Sequence, residues 1–484
     1  MTFGPASYEL FIIAIMGVSG ISVGLLAGLR SALLLIPFAL AASVVIRVTS
    51  ALAVWSLSIN NLSLEIWAAM SGAIAVGAAT RWWRLWRLAL TALGIWGVAG
   101  FASIAAKYVF GVGEMQHIDS AGQIATALLV IQSDTDDLNA LATSPKLGIA
   151  FPLMLALGPG GRIFSAFPFL VFLATASLVL WLSLRVTRPI SRASVYWSLG
   201  IIAIFSLTVP MVRIAAFYVN SHTLMGLGVT ILTTGAFLAV RSTSARHEHG
   251  WLIAVGALLA VTTRIEGIIL VAVILLFFAS QIQPSINSRL VLGTGALIAG
   301  GGVSWWTGAL DSPVIDEFGL QWWWLPVLTL VGTVVLTSPL IDRIRRFLPI
   351  ALVALLVSLL SAEVWRSPSP LATATAQVPN LIFGEGGWAS SAIAFSALTL
   401  LTAGAHLSRD YWWFLGISWL GIATIFFSKT FDGSFGRGSF YDSVNRMILH
   451  IAPLIVVTSV VCLTELIERA RQRKNEAHSV TASA

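Results

Sequence analysis

Charge is what this sequence has least of. Of its 484 residues, 10% are Asp, Glu, Lys or Arg and 57% are hydrophobic, whereas a water-soluble domain carries about 25% charged residues. So small a polar complement cannot coat a soluble globule of this length. Cysteine is nearly absent: Cys462 stands alone, which excludes an internal disulfide and a thiolate metal cluster. Familiar nucleotide and metal motifs are missing too. There is no Gly-x-x-x-x-Gly-Lys-Ser/Thr phosphate loop, hence no ATP motor of that type, and no His-Glu-x-x-His zinc helix. Gly158-Pro159-Gly160-Gly161 is a turn by composition, without the strand that a nucleotide-binding loop requires. No basic leader precedes Tyr8–Gly28, which reads as a first span rather than a cleavable signal. No internal repeat is visible, which weighs against an inverted-repeat transporter.

What is present is a succession of apolar stretches of membrane-spanning length, about twenty residues each. In lipid such stretches must be helical, because free backbone groups find no partner there. They are continuous rather than alternating, which argues against a β-barrel. The expected fold class is therefore all-α, a polytopic transmembrane helical bundle. Candidate spans are 8–28, 31–56, 62–80, 88–110, 162–184, 194–212, 222–240, a hairpin at 251–280, 290–310, 321–341, 347–361, 391–407, 411–428 and 446–466. The formal net charge of +7 is read through topology and not as a nucleic-acid footprint, since Lys and Arg collect on the cytoplasmic side of membranes. Arg81, Arg84 and Arg87; Arg185, Arg188 and Arg192; Arg241 and Arg246; Arg343, Arg345 and Arg346; and Arg469, Arg471, Arg473 and Lys474 fall on alternate connections.

That parity decides the segment 251–280. As a single crossing it would put Arg343–Arg346 and the basic tail outside. As two short helices turning near Thr263-Arg264-Ile265-Glu266-Gly267 it keeps every basic cluster inside. The expectation is a multi-pass plasma-membrane protein of about fifteen helices or half-helices, N-terminus outside and C-terminus cytoplasmic. Its tail beyond the last helix is expected to be disordered. Of the 19 tryptophans, pairs such as Trp82-Trp83 and Trp412-Trp413 suit an interfacial belt, with Trp322–Trp324 the best candidates for stacking on a sugar.

Three outer loops hold the candidate chemistry: Gly111–Gly161 with Glu114, His117, Asp119 and Lys146; Ala362–Ser390; and Lys429–Asn445 with Tyr441. Asp119, just past a span, either takes a proton from an acceptor hydroxyl or caps the helix that follows. Pro145-Lys146 precedes the short apolar run Leu147–Leu157, which reads as a helix lying along or dipping into the outer surface. There Lys146 either meets a lipid phosphate or snorkels. Arg264 and Glu266, flanked by apolar sequence, either line a cavity that receives a phosphate or pair with each other. Arg446 opens the last span as a second cation or an interfacial anchor. Arg213, with Tyr218, Asn220 and His222, forms another polar outer connection. Arg246-His247-Glu248-His249 has residues that can bind a metal, but on the cytoplasmic side it is read as a solvated loop.

In order and placement these features resemble the polytopic glycosyltransferases of the GT-C fold, which include protein O-mannosyltransferases and lipid A aminoarabinose transferases. The resemblance lies in a basic edge, Arg81–Arg87, then a span, then Asp119 in the first large outer loop. A Pro-Lys step with an apolar helix, Pro145-Lys146 and Leu147–Leu157, follows. Next comes a hairpin with an Arg-x-Glu-Gly step, Gly256–Gly267, and finally Arg446 opening a late span that contains Pro453. It covers roughly 81–280 and 429–466. Members usually carry an acidic pair in the first loop, where this chain has Asp119 beside Ser120.

The resemblance implies an organisation into 1–80, an N-terminal transmembrane extension; 81–280, the catalytic module with outer loop 111–161; 281–466, C-terminal helices with outer loops 362–390 and 429–445; and 467–484, a cytoplasmic tail. It implies an extracytoplasmic catalytic loop, juxtamembrane helices, and an inverting transferase. The donor would be a polyprenyl-phosphate-linked sugar and the acceptor a glycan, lipid or protein hydroxyl. Asp119 would be the base. Lys146, Arg264 and Arg446 would bind the donor phosphate, while Glu114, His117, Arg213, His222, Glu266 and Tyr441 would contact substrate. No cofactor, metal site or nucleic-acid partner is expected, and a divalent cation among the outer carboxylates is left open. The alternatives are a transporter or lipid flippase, and a polysaccharide polymerase or ligase.

Overall fold

The computed structural model describes residues 5–56, 63–110, 118–132, 148–158, 163–187, 192–241, 247–264, 266–281, 286–309, 324–348, scattered positions from 350 to 365, and 387–403, 409–431 and 446–483. Among the described residues the architecture is helical without strands. The helices, in chain order, are α1 Pro5–Leu26, α2 Ala32–Ser56, α3 Ser63–Gly77, α4 Ala79–Arg84, α5 Trp86–Phe110, α6 Ile118–Gln132, α7 Ala150–Leu155, α8 Phe167–Val186, α9 Arg192–Thr208 and α10 Pro210–Phe217. They continue as α11 Ser221–Arg241, α12 His247–Thr263, α13 Glu266–Gln281, α14 Ile286–Ala309, α15 Trp324–Thr337, α16 Leu340–Ile344, α17 Ala389–Ala403, α18 Arg409–Phe431 and α19 Ala452–Ser483. Five of the described helices, α1, α2, α5, α8 and α11, are long and apolar enough to cross a membrane. The pair α9 and α10, bent by 85°, makes a sixth if it is one span. This is the make-up of a helical membrane bundle. Several other expected spans are shorter apolar helices of 10–17 residues.

Two compact units divide the chain: Met1–Leu178 with Ala215–Ser358, and Val179–Ile214 with Leu359–Ala484. In the first unit α1 and α5 run antiparallel. Lys107 Nζ donates to Glu9 Oε1 at 2.8 Å, Trp96 Nε1 to the Ile13 carbonyl at 2.7 Å, and Trp82 Nε1 to Ser22 Oγ at 2.9 Å. These bonds string polar atoms along an apolar interface, where lipid would leave them unsatisfied.

The expected hairpin is present. Gly250 faces Val291, Gly295 faces Ile253 and Gly302 faces Leu258, so α12 and α14 run parallel. Two consecutive parallel helices require the chain between them to return, and α13 makes that return. At 1.5 Å per residue the 17 residues of α12 rise about 25 Å, short of the ~30 Å hydrocarbon core. Gly28 lies against His247, and Arg289 Nη1 pairs with Asp342 Oδ2 at 3.4 Å. One end of this unit therefore gathers the starts of α5, α12 and α14 and the segment before Arg343. The other end carries the Glu9–Lys107 pair and the turn at Arg264.

Four local expectations change. Of the two expectations for the run after Lys146, lying along the outer surface or dipping into it, the first is not met: all six residues of α7 are buried, and the helix packs against α2, α6 and α12. Its apolar side chains are covered by those helices and not left to a polar surface. His247–His249 is not a solvated loop; His247 begins α12 and His249 is buried. The tail is not separate from the last helix, because α19 continues to Ser483. Finally, the span at 62–80 breaks at Ala78 into α3 and α4.

Candidate functional site

The site is built at the turn between α12 and α13. Thr262 and Thr263 close α12 by returning their hydroxyls to the carbonyls of Leu258 and Leu259, at 2.6 and 2.5 Å. Arg264 follows, 6% exposed. Its Nε and Nη2 each donate to the carboxylate of Glu266, both at 3.2 Å, and its Nη1 donates to Ser221 Oγ at 3.2 Å. Such a two-pronged pair fixes the guanidinium plane. Glu266 also opens α13, where the first-turn amides favour a negative charge. The chain then doubles back: Gly267 N–H donates to the Arg264 carbonyl at 3.0 Å, and a Cβ at Gly267 would lie 2.4 Å from the Ala260 carbonyl oxygen. Only a residue without a side chain allows the reversal that buries Arg264.

Ser221 reaches the guanidinium because it begins α11. Asn220 Oδ1 accepts the His222 N–H at 2.8 Å, an N-cap of ordinary type. The cap turns the buried Ser221 and His222 into the bundle. A second stretch arrives from far earlier in the chain. Gly148 N–H donates to the Thr263 carbonyl at 3.0 Å, and a Cβ on Gly148 would sit 2.2 Å from the Thr262 oxygen. The segment two residues past Lys146 is thus held against the backbone that leads into Arg264.

Helix α6 adds a residue that the sequence did not single out. Gln123 is 1% exposed, and both its Oε1 and Nε2 lack a hydrogen-bond partner. An unsatisfied buried polar group costs about 1–3 kcal/mol, so this amide is open to a water or a ligand hydroxyl. Gln123 lies one helical turn after Asp119, on a helix packed against α7. Helix α6 is described from Ile118, so Asp119 lies at its start. No pattern in the sequence marks Gln123 or Ser221. Their significance comes from burial and from the neighbours that folding supplies.

No family model, curated protein or solved structure matches this chain. The site therefore has to be read from its own chemistry.

Arg264, Glu266, His222 and Asp119 belong to the first unit, and the first two are joined directly. Arg213, exposed on α10, and Arg446, half-buried before a 3₁₀ turn at Ile448–His450, belong to the second. Glu114, His117, Lys146, Tyr441, Trp322 and Trp323 lie outside the described residues, and of Asp119 only the backbone is described. Among the described residues no three His, Cys, Asp or Glu side chains group as metal ligands. What the turn offers is a buried guanidinium with a fixed plane and a carboxylate and a hydroxyl orienting it; the unpartnered amide of Gln123 lies apart, on the helix that carries Asp119.

Proposed function

We propose that the chain is a membrane transferase that moves a sugar from a lipid-phosphate donor to an acceptor hydroxyl at the Arg264 end of the first unit. One observation carries the reading: the Gly148–Thr263 hydrogen bond. It ties the neighbourhood of Pro145-Lys146 to Arg264, two stretches picked out separately as phosphate contacts. A buried guanidinium at such a locus suits a phosphate that must lose its sugar there, because low dielectric strengthens a charge contact. Arg264 commits three of its five N–H donors to Glu266 and Ser221, which leaves two for phosphate oxygens.

In the reaction the acceptor oxygen forms the new bond to the anomeric carbon. The bond from that carbon to the phosphate oxygen breaks, and its electron pair departs with the lipid phosphate. The acceptor proton passes to Asp119. Attack opposite the leaving phosphate inverts the anomeric centre. Gln123, one turn along α6, offers an acceptor and two N–H groups for sugar or acceptor hydroxyls.

Purified chain in proteoliposomes with a defined polyprenyl-phosphate sugar and a hydroxyl acceptor tests this. Asp119→Asn is expected to abolish transfer while folding is retained. Arg264→Ala is expected to weaken use of the lipid-phosphate donor, raising the donor concentration needed, with partial rescue by Arg264→Lys. Full turnover by Asp119→Asn would remove the base from the mechanism. A wild-type protein that transfers nothing but moves solute across the vesicle would favour the transporter alternative, for which the buried Arg47 within α2 speaks.

A further inference from the structure

The segment Arg81-Trp82-Trp83-Arg84-Leu85-Trp86-Arg87 puts three arginines and three tryptophans into seven residues. No Asp or Glu stands between Glu65 and Glu114 to offset them. In the fold the segment covers most of α4 and the first residues of α5, and the helix breaks at Leu85 between them. No residue of α4 is buried. Arg81, Arg84 and Arg87 are all exposed, as are Trp83 and Trp86. Among the described residues no carboxylate pairs with any of the three arginines.

Two contacts hold the segment in place. Trp82 Nε1 donates to Ser22 Oγ at 2.9 Å, which pins α4 to α1. The Arg87 guanidinium lies over the Trp86 ring, 5.3 Å from its centroid. A cation–π contact of this kind uses the face of the guanidinium and leaves its N–H edge for an acceptor. The flanks fix the depth. Val76, near the end of α3, is 77% exposed, and Leu90, in the second turn of α5, is 57% exposed. In a membrane bundle such side chains face lipid tails. The arginines between them therefore stand where acyl chains give way to headgroups, the level at which tryptophan also settles.

We infer that α4 and the start of α5 form a docking surface for the phosphates of anionic bilayer lipids, with Arg81, Arg84 and Arg87 as the contacts. The guanidinium fork matches phosphate oxygens in charge and in spacing. Lipid is the occupant that the surroundings favour, because the helices on both sides already expose apolar side chains to it. Each arginine near such a surface favours an anionic over a zwitterionic headgroup by roughly five-fold. The surface belongs to the end of the first unit opposite the turn at Arg264, so the inference does not rest on the transferase reading.

The test puts a bimane fluorophore beside the arginines, on Thr80→Cys in a Cys462→Ser background, since Thr80 is exposed. The full chain is placed in nanodiscs of mixed phosphatidylglycerol and phosphatidylcholine. One lipid or the other, at the same mole fraction, carries a nitroxide near the top of an acyl chain. With the three arginines present, labelled phosphatidylglycerol should quench at least roughly five-fold more effectively. Arg81→Gln with Arg84→Gln and Arg87→Gln should bring the ratio near one. Salt at about 1 M, where the screening length is about 3 Å, should lower it without any substitution. Circular dichroism and elution volume identify a triple variant that fails to fold; Arg81→Gln with Arg84→Gln, together with the salt series, then decides. Equal quenching by the two lipids would mean ordinary boundary lipid and overturn the inference. So would a bias that survives loss of the arginines, or one abolished by millimolar inorganic phosphate at constant ionic strength, which would mark a site for a soluble phosphate.

Discussion

Replacing Gly148 with alanine puts a methyl group where the backbone of α12 already stands. The new Cβ would lie 2.2 Å from the Thr262 oxygen, 2.5 Å from the Thr263 carbonyl carbon and 2.7 Å from the Thr262 carbonyl carbon. None of these atoms is the tip of a flexible side chain, so the two segments must separate, and the 3.0 Å bond from Gly148 N–H to the Thr263 carbonyl goes with them. Overpacking costs about 1–3 kcal/mol and the hydrogen bond about 1 kcal/mol. A local destabilisation of about 2–3 kcal/mol corresponds to roughly thirty- to a hundred-fold more frequent opening. Hydrogen–deuterium exchange of the chain in nanodiscs reads this directly. Peptides covering 148–157 and 258–267 should lose protection by that factor, while α1 and α5 are unchanged. Gly94→Ala and Gly97→Ala are the controls, since nothing lies within 4 Å of a Cβ at either. Inside a helix each should be neutral or gain up to about 1 kcal/mol. Wild-type exchange in Gly148→Ala would refute the contact, and with it the argument that links the Lys146 neighbourhood to Arg264.

Other consequences can be measured separately. Lys107→Met strands the fully buried Glu9 and should cost about 3 kcal/mol. Lys107→Met combined with Glu9→Gln should recover much of that loss in thermal unfolding in detergent; a double variant as unstable as the single would mean the pair contributes nothing as a pair. Glu266→Gln leaves Arg264 with one fewer charged partner and should lower the unfolding midpoint, whereas Ser221→Ala, which removes a single 3.2 Å hydrogen bond, should cost about 1 kcal/mol; the reverse order would show that Ser221 and not Glu266 holds the guanidinium. In a Cys462→Ser background, cysteines at 248 and 281 should react with an impermeant maleimide from the same face, because α12 and α13 form a hairpin; labelling from opposite faces would make 247–281 a single crossing.

Composition alone placed this chain in lipid, and the alternation of arginine clusters was enough to require that 251–280 double back. Both conclusions rest on local or additive properties, namely transfer cost and charge bias, which need no knowledge of partners. The two-residue spacing of Arg264 and Glu266 was equally legible, since neighbours in sequence stay neighbours in space. The rest required the fold. Helices apolar on every side carry no stripe that announces which face packs on which, so nothing in the sequence says that Gly148 meets Thr263, that Ser221 meets Arg264, or that α7 is interior. For the same reason Gln123 reads as an ordinary polar residue until burial strips it of water. Which helices meet is governed by backbone approach at small residues, as at Gly148 and Gly267, more than by any periodic pattern.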